Sequence, residues 1–507
     1  MRLLRRNTLA VVAVYAAAIV SGLVVTPVVI HSIGTPAFGV WSFIGSVTIY
    51  MSVLDFGVGP SIVRFAAEAY GRRAPQDLNE IASTGLAMYA VIGALTLPIG
   101  IALAWAVPSL VGAPHHLIWD ARVTTLLIVL SLALRFPLGL FNNLLVARQR
   151  WDLQNLASFV STILYAGLVA VLVPGGGGLI LLGALTLATT LLRLVLPLAW
   201  LRRELPELRI GRRFVSRARL RALTVFSSSN FLVHVAQKIV FSTDVIVVGI
   251  VLGSAASGVY SVPAKLFALV FGIGTATTSL MFPAFAELQG AGEVEQQRRL
   301  LRAGLRAGTC LMLLLALPLL LIPDLLIKAW IGGGFQKSYA VLAILAGVLL
   351  VHQPIYVLTQ YLIALGRQRS IAIVAIATTL ANLALSFLLA WRWGVWGVAV
   401  STLATDLVAF AWIVPRIAAP AASLSSGVLL RAVLRPIVPA ALAAALVLVV
   451  VARLWEPRTL LELVPLGVLW TVVGAAALWR FGLAGEERRQ FGREFGRRSA
   501  PAPVPEL

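Results

Sequence analysis

Fourteen apolar runs, each long enough to cross a bilayer, follow one another along almost the whole chain. A spanning helix needs about 20 apolar residues. The runs fall near 8–31, 37–66, 81–107, 122–146, 154–173, 178–201, 222–252, 257–286, 304–323, 339–365, 370–390, 395–415, 433–452 and 461–480. The second, seventh and eighth are longer than a membrane requires and are expected to include tilted or interfacial parts. No segment between the runs is long and polar enough for a soluble catalytic domain. Only 12% of the residues are charged and 60% are hydrophobic, against roughly 25% charged in soluble domains. With a mean hydropathy of +0.94, such a surface has to meet lipid rather than water. The expected class is an all-α polytopic membrane protein.

The placement of charge tests that reading. With the N-terminus in the cytoplasm and the loops alternating, 30 of the 41 Lys and Arg residues fall on the cytoplasmic side, 6 on the other side and 5 inside runs. This is the bias that sets membrane orientation. A wrong run count in the middle of the chain would invert the later loops and destroy it. Both termini are therefore expected in the cytoplasm and the chain in the inner (plasma) membrane. The net charge of +21 is explained by orientation and anionic-lipid contact. A nucleic-acid partner is disfavoured, because the basic loops are short and hold few aromatic residues. The first run is too long for a signal-peptide core and reads as a retained helix. Cys310 is the single cysteine, so no intrachain disulfide is expected.

Two stretches repeat. SIGTPAFGVW at Ser32–Trp41 is echoed 219 residues later by VLGSAASGVY at Val251–Tyr260, with Gly34 on Gly253 and Gly39 on Gly258. TLATTL from Thr186 is echoed 216 residues later by TLATDL from Thr402, with Gly178 on Gly394. The first twelve runs thus read as two copies of a six-helix unit. The predicted divisions are a lobe over 1–203, a basic linker over 204–221, a second lobe over 222–417, two added helices over 418–482 and a disordered tail over 483–507. Each copy holds an even number of runs, so the copies share one orientation. Two such bundles about a central cavity can alternate access by rocking.

The pattern G-x-x-x-F-G-x-W at Gly34, Phe38, Gly39 and Trp41 is followed by D-F-G-x-G-x-S-x-x-R at Asp55, Phe56, Gly57, Gly59, Ser61 and Arg64. With Asp244 and GSAASGVYSVPAKL in the second half, this resembles the polysaccharide-biosynthesis export proteins. That group includes the Wzx-type flippases of the multidrug/oligosaccharidyl-lipid/polysaccharide exporter superfamily. The resemblance covers roughly residues 1–420. It implies a V-shaped two-lobe fold that moves polyprenyl-diphosphate-linked sugars outward.

Polar residues inside spans are costly and usually face a cavity or a partner. In the seventh run Ser227, Asn230, His234, Lys238 and Ser242 recur on one helical face. Ser131, Arg135 and Asn142 share a face of the fourth run, Thr186, Thr189 and Arg193 one of the sixth, and His352, Tyr356 and Gln360 one of the tenth. Lys265 stands among apolar neighbours in the eighth. Arg135, Lys238 and Lys265 suit an anionic head group, since Arg can grip phosphate bidentately. Asn142, Asn230, His234, Tyr356 and Gln360 suit sugars. The alternative is structural, with cations paired to carboxylates or reaching an interface; Arg64 with Glu68, and Arg193 near the cytoplasmic end, are read this way. Asp55, Asp244 and Asp406 are candidates for coupling to a proton or sodium gradient, or for neutralising internal cations. The histidines form no zinc motif, and no metal or other cofactor is expected. Pro27 and Pro263, beside the repeated elements, are candidate hinges together with Gly34, Gly39, Gly253 and Gly258.

The expected function is a non-enzymatic flippase for a lipid-linked oligosaccharide, working in cell-surface polysaccharide biosynthesis. Its partners would be the polyprenyl-diphosphate glycan, membrane lipids, and glycosyltransferases with a polysaccharide polymerase. The rivals are a cation-coupled multidrug exporter, which should favour an acidic cavity, and a flippase for the peptidoglycan lipid precursor. A membrane-embedded polymerase or glycosyltransferase would need a long catalytic loop, and the external loops are all short.

Overall fold

A computed structural model describes residues 2–239, 243–431 and 459–477, with the isolated positions 445, 448 and 449. Side chains at 2–9, 11, 12, 229–239, 460, 461 and 477 lie outside that description. The elements are α1 (Arg2–Met51), α2 (Val58–Gly71), α3 (Pro75–Leu110), α4 (Ile118–Ala147), α5 (Trp151–Leu172), α6 (Gly178–Glu204), α7 (Arg217–Ile239), α8 (Thr243–Leu252) and α9 (Ser254–Ser279). They continue as α10 (Met281–Gly290), α11 (Val294–Leu321), α12 (Pro323–Ile331), α13 (Gln336–Ala364), α14 (Gln368–Trp393), α15 (Val395–Val408), α16 (Val414–Ala421) and α17 (Leu460–Ala477). The described residues are helices and short connections, as an apolar solvent demands: a helix satisfies its own backbone groups.

Ten helices among the described residues are long and apolar enough to cross a membrane. The first two expected spans emerge as the single long helix α1, broken at Gly34 (φ 79°, ψ 164°), followed by α2. The seventh is divided between α7 and α8, and the fourteenth is the shorter apolar helix α17. The thirteenth, 433–452, lies almost wholly outside the described residues. Exposed tryptophans gather at helix ends, with Trp105 and Trp119 flanking one connection and Trp391, Trp393 and Trp396 another. Such amphipathic rings favour the membrane–water interface.

The chain forms two compact units. One comprises Met1–Val262 with Ala390–Val395, the other Pro263–Leu389 with Trp396–Leu507. The division falls at Pro263, inside α9. The helices α7 and α8, which the sequence assigns to the second lobe, pack within the first unit against α1, α2 and α3.

The basic segment 204–221 is tied down. Asn79, Ser83 and Thr84 on the N-terminal turns of α3 accept hydrogen bonds from the backbone N–H groups of Arg209 (2.8 Å), Gly211 (3.2 Å) and Ser216 (3.1 Å). Arg219 closes the strap onto Asp77 (2.6 Å) and Glu80 (3.1 Å). Burial works against the Arg219 charge, but those two carboxylates more than offset it and hold the guanidinium above its ordinary value. A second clip joins Arg150 to Asp152 at 3.1 Å and to Glu204 at the end of α6.

In the second unit, a core of Leu305, Leu313, Leu317, Val357, Leu358 and Tyr361 receives Trp470 of α17. The Trp470 indole N–H donates to the Leu314 carbonyl at 2.7 Å. Lipid supplies little hydrophobic drive between helices, so packing and such hydrogen bonds hold α17 in place. Trp470→Ala is expected to cost roughly 3 kcal/mol and to lower the thermal unfolding midpoint in detergent. Trp391→Ala, on an exposed ring, should leave that midpoint unchanged.

Candidate functional site

The two copies of the repeated motif meet. A Cβ on Gly39 would lie 1.8 Å from the Ser254 carbonyl oxygen, and a Cβ on Gly258 would lie 2.4 Å from that of Thr35. Thr35 and Ser254 are themselves equivalent, 219 residues apart. Each glycine therefore faces the carbonyl that the other copy presents, a reciprocal contact of the kind a two-fold axis generates. The remaining repeated glycines adopt matching backbones: Gly34 and Gly253 have φ of 79° and 86°, and Gly178 and Gly394 have 53° and 62°. These left-handed values favour glycine and fall at equivalent helix breaks and starts. Pro27 and Pro263 both lie inside helices, α1 and α9. Beside the crossing, the buried Asp244 accepts a hydrogen bond from the Tyr260 hydroxyl at 2.7 Å.

The D-F-G-x-G element is also a helix break. A short 3-10 turn ends at Asp55, and Phe56 (φ 49°) and Gly57 (φ 78°) carry the chain into α2. Asp55 Oδ1 accepts from the Tyr89 hydroxyl at 2.9 Å, and Asn143 Nδ2 donates to that hydroxyl at 3.2 Å. A Cβ on Gly59 would crowd both, at 3.1 Å from the hydroxyl and 3.3 Å from the amide nitrogen. Ser61 hydrogen-bonds Ser227 of α7 at 3.0 Å. Arg64 pairs with Glu68 at 3.1 Å, as the spacing predicts.

Arg135 on α4 lies close enough to Tyr89 and to Arg193 on α6 for its charge to act on both. Neither arginine is paired with a carboxylate among the described residues, and both side chains are exposed. One turn beyond Arg135, the space above Gly139 is open. Asn142, further along the same face, has a buried Oδ1 without a partner among the described residues. The hydroxyls of Ser131, Thr186 and Thr189 instead bond carbonyls of their own helices.

In the second unit His352 Nδ1 meets Asp406 Oδ2 at 2.9 Å, joining α13 to α15. The imidazole lies 5.2 Å from the Phe271 ring and 6.4 Å from the Tyr356 ring. Tyr356 is hydrogen-bonded to the buried Gln360. Lys265 is half-buried on α9. The side chains of Asn230, His234 and Lys238 lie outside the described residues.

The polysaccharide biosynthesis protein family matches residues 4–289, more than half of the chain. The chain belongs to that family. A curated relative, the membrane protein EpsK of Bacillus subtilis strain 168, is 24% identical over 371 residues, covering 71% of this chain and 72% of its own length. Among solved structures, the lipid II flippase MurJ in an inward closed conformation matches with a TM-score of 0.72 at 12% identity, covering 93% of this chain and 99% of its own. An inward-facing multidrug-resistance MATE transporter of the MOP superfamily matches at 0.65 and 16% identity, covering 81% and 95%. A MOP-superfamily transporter from Pyrococcus furiosus, described as having a binding pocket of reversed polarity, matches at 0.54 and 16% identity, covering 82% and 96%. This family member therefore has the all-helical polytopic fold of these solved transporters.

The glycine crossing makes a distinct prediction for this family member. Gly39→Ala and Gly258→Ala should each destabilise by about 2 kcal/mol, since a methyl group would press on backbone. Both substitutions strain one crossing, so the double variant should lose less than the sum, by about 1 kcal/mol. Thermal unfolding of the four proteins in one detergent measures the cycle.

Proposed function

We propose that this protein flips a polyprenyl-diphosphate-linked oligosaccharide from the cytoplasmic to the outer leaflet of the inner (plasma) membrane by alternating access. Both termini are cytoplasmic on this reading, as the charge bias predicts. The observation that carries it is the Arg135–Arg193 pair. Two neighbouring guanidiniums without a carboxylate between them repel each other, and the cost is greatest where water is scarce. A diphosphate offsets that repulsion and offers each arginine a phosphate for bidentate contact. The open side of α4 at Gly139, with Asn142 further along, leaves room for a sugar and an amide to bind it. The lipid chain stays in the bilayer, and no covalent step is needed.

The alternatives differ in charge. A multidrug exporter selecting cationic drugs would be hindered by paired arginines. A peptidoglycan-precursor flippase would present the same diphosphate, and the bound glycan tells the two apart. Glycosyltransferases and a polymerase are the protein partners this role implies. The broken helices at Gly34 and Gly253, with Pro27 and Pro263, are the proposed bending points, and Lys238 and Lys265 the proposed further cations.

Native mass spectrometry of protein purified in mild detergent tests the reading. A polyprenyl-diphosphate glycan should remain bound to the wild type and fall about tenfold or more in Arg135→Gln and in Arg193→Gln, each loss removing a charge-assisted contact worth about 1.5–3 kcal/mol. Arg203→Gln, on the cytoplasmic surface, should leave it unchanged. Ordinary phospholipid alone, equal in all four proteins, would remove the diphosphate site.

A further inference from the structure

Resting on the reading of this chain as a transporter, we propose that the His352–Asp406 pair is its coupling site and that the coupling ion is a proton. His352 sits near the middle of α13 and Asp406 near the middle of the apolar helix Val395–Ala421. Their side chains keep only 17% and 15% of their exposure. The pair lies beside two irregularities. Pro354 interrupts α13 two residues after His352, and a π-helical turn, Ala409–Ile413, starts three residues after Asp406. A π turn holds one residue more than an α turn, and short stretches of it recur at functional sites. It gives α15 a place to change register without unravelling.

The proton balance is simple. With Asp406 ionised, His352 Nδ1–H donates to Oδ2, and the pair carries one negative charge. One proton taken at Nε2 makes the imidazolium, and the pair becomes neutral overall. A net charge within a span is expensive, and opposite charges attract strongly in a low dielectric. Proton uptake therefore tightens α13 against α15, and release loosens them at the π turn. The Phe271 ring at 5.2 Å lies within the distance at which an aromatic face favours a cation. Histidine is the side chain that ordinarily changes charge between about pH 5 and 8. A sodium ion would have to compete with that imidazolium for one carboxylate.

Other ionisable groups stand on the surrounding helices. They are Tyr260 and Lys265 on α9, Glu287 on α10, Glu295, Arg298, Arg299, Arg302, Arg306 and Cys310 on α11, the Asp324–Lys328 pair on α12, Lys337, Tyr339, Tyr356 and Tyr361 on α13 and Arg416 on α16. Asn382 of α14 hydrogen-bonds Ser401, Thr402 and Thr405 of α15, and α14 has no ionisable side chain between Arg369 and Arg392. Among these neighbours, His352 is the one histidine.

The test is hydrogen–deuterium exchange of the full-length protein in lipid nanodiscs, followed in the peptide spanning 402–418. Rates at acid and neutral pD are corrected for the intrinsic chemistry of exchange. In the wild type the corrected exchange should be about tenfold slower at pD 5.5 than at pD 7.5. His352→Gln and Asp406→Asn should abolish the difference. Phe271→Leu keeps both ionisable groups and should shrink the difference without abolishing it. Replacing sodium with potassium should change nothing. A flat wild-type response, a pH response that survives in both His352→Gln and Asp406→Asn, an unchanged response in Phe271→Leu, or a response that follows sodium would each overturn the proposal. No glycan enters the measurement, so it can fail while the flippase reading stands, and the reverse.

Discussion

Hydrocarbon offers no hydrogen-bond partner to a backbone amide, and the rest of this structure depends on that constraint. It makes every crossing segment a helix and confines irregular backbone to places where something else takes up the freed groups. Among the places where the described chain departs from helix are Gly34 and Gly253, inside the motif that the two halves share, and Phe56–Gly57, in the D-F-G-x-G element. The breaks are therefore sited features of the fold. The same solvent removes most of the hydrophobic drive between helices. Association then rests on close backbone approach and on internal polar contacts. The Gly39–Gly258 crossing supplies the first. The Asp55–Tyr89–Asn143 cluster and the Tyr260–Asp244 bond supply the second.

Water has a different effect at the helix ends. Arginines outside the apolar runs set the expected orientation, yet several of them also organise structure. Arg219 anchors the connecting segment to α3, and Arg150 ties α6 back to the start of α5. Exposed ion pairs contribute little singly. Here they act alongside three hydrogen bonds from the segment's own backbone to successive turns of α3, which fixes a stretch that charge alone would leave solvated.

Much of this was legible in the sequence because a membrane imposes one-dimensional rules. Length and hydropathy mark the spans. The Gly34/Gly253 and Gly178/Gly394 equivalences predict the repeat that the backbone angles display. Arg64 and Glu68 pair as their spacing requires. What the sequence does not carry is which faces meet. His352, Tyr356 and Gln360 stand out as a polar face, and Asp406 as an isolated acid 54 positions away; only packing joins them. Tyr89 escaped notice because a single tyrosine in an apolar run gives no periodic signal, although it bridges Asp55 and Asn143. Thr186, Thr189 and Ser131 mark polar faces by periodicity but donate their hydroxyls to carbonyls of their own helices. The N-terminal extension of α3 ahead of its apolar run is likewise not legible, since the polar turns that receive the linker look like an ordinary loop.

The groups that carry the two proposed roles are of two chemical kinds. Arg135 and Arg193 hold a fixed charge, because a guanidinium does not deprotonate in proteins. The His352–Asp406 pair holds a charge that a single proton changes. A group that grips a permanently anionic head must stay charged through the cycle, or the ligand would be released whenever the pH drifted. A group that draws on a gradient must do the opposite and change state at accessible pH. One residue type cannot meet both demands. On the proposed reading, that conflict explains why Arg135 on α4 and Arg193 on α6 have no carboxylate partner among the described residues while histidine faces aspartate between α13 and α15. Moving either function onto the other's residues would cost it: a lysine or histidine in place of Arg135 would let binding vary with protonation, and an arginine in place of His352 would lock the α13–α15 pair in one state.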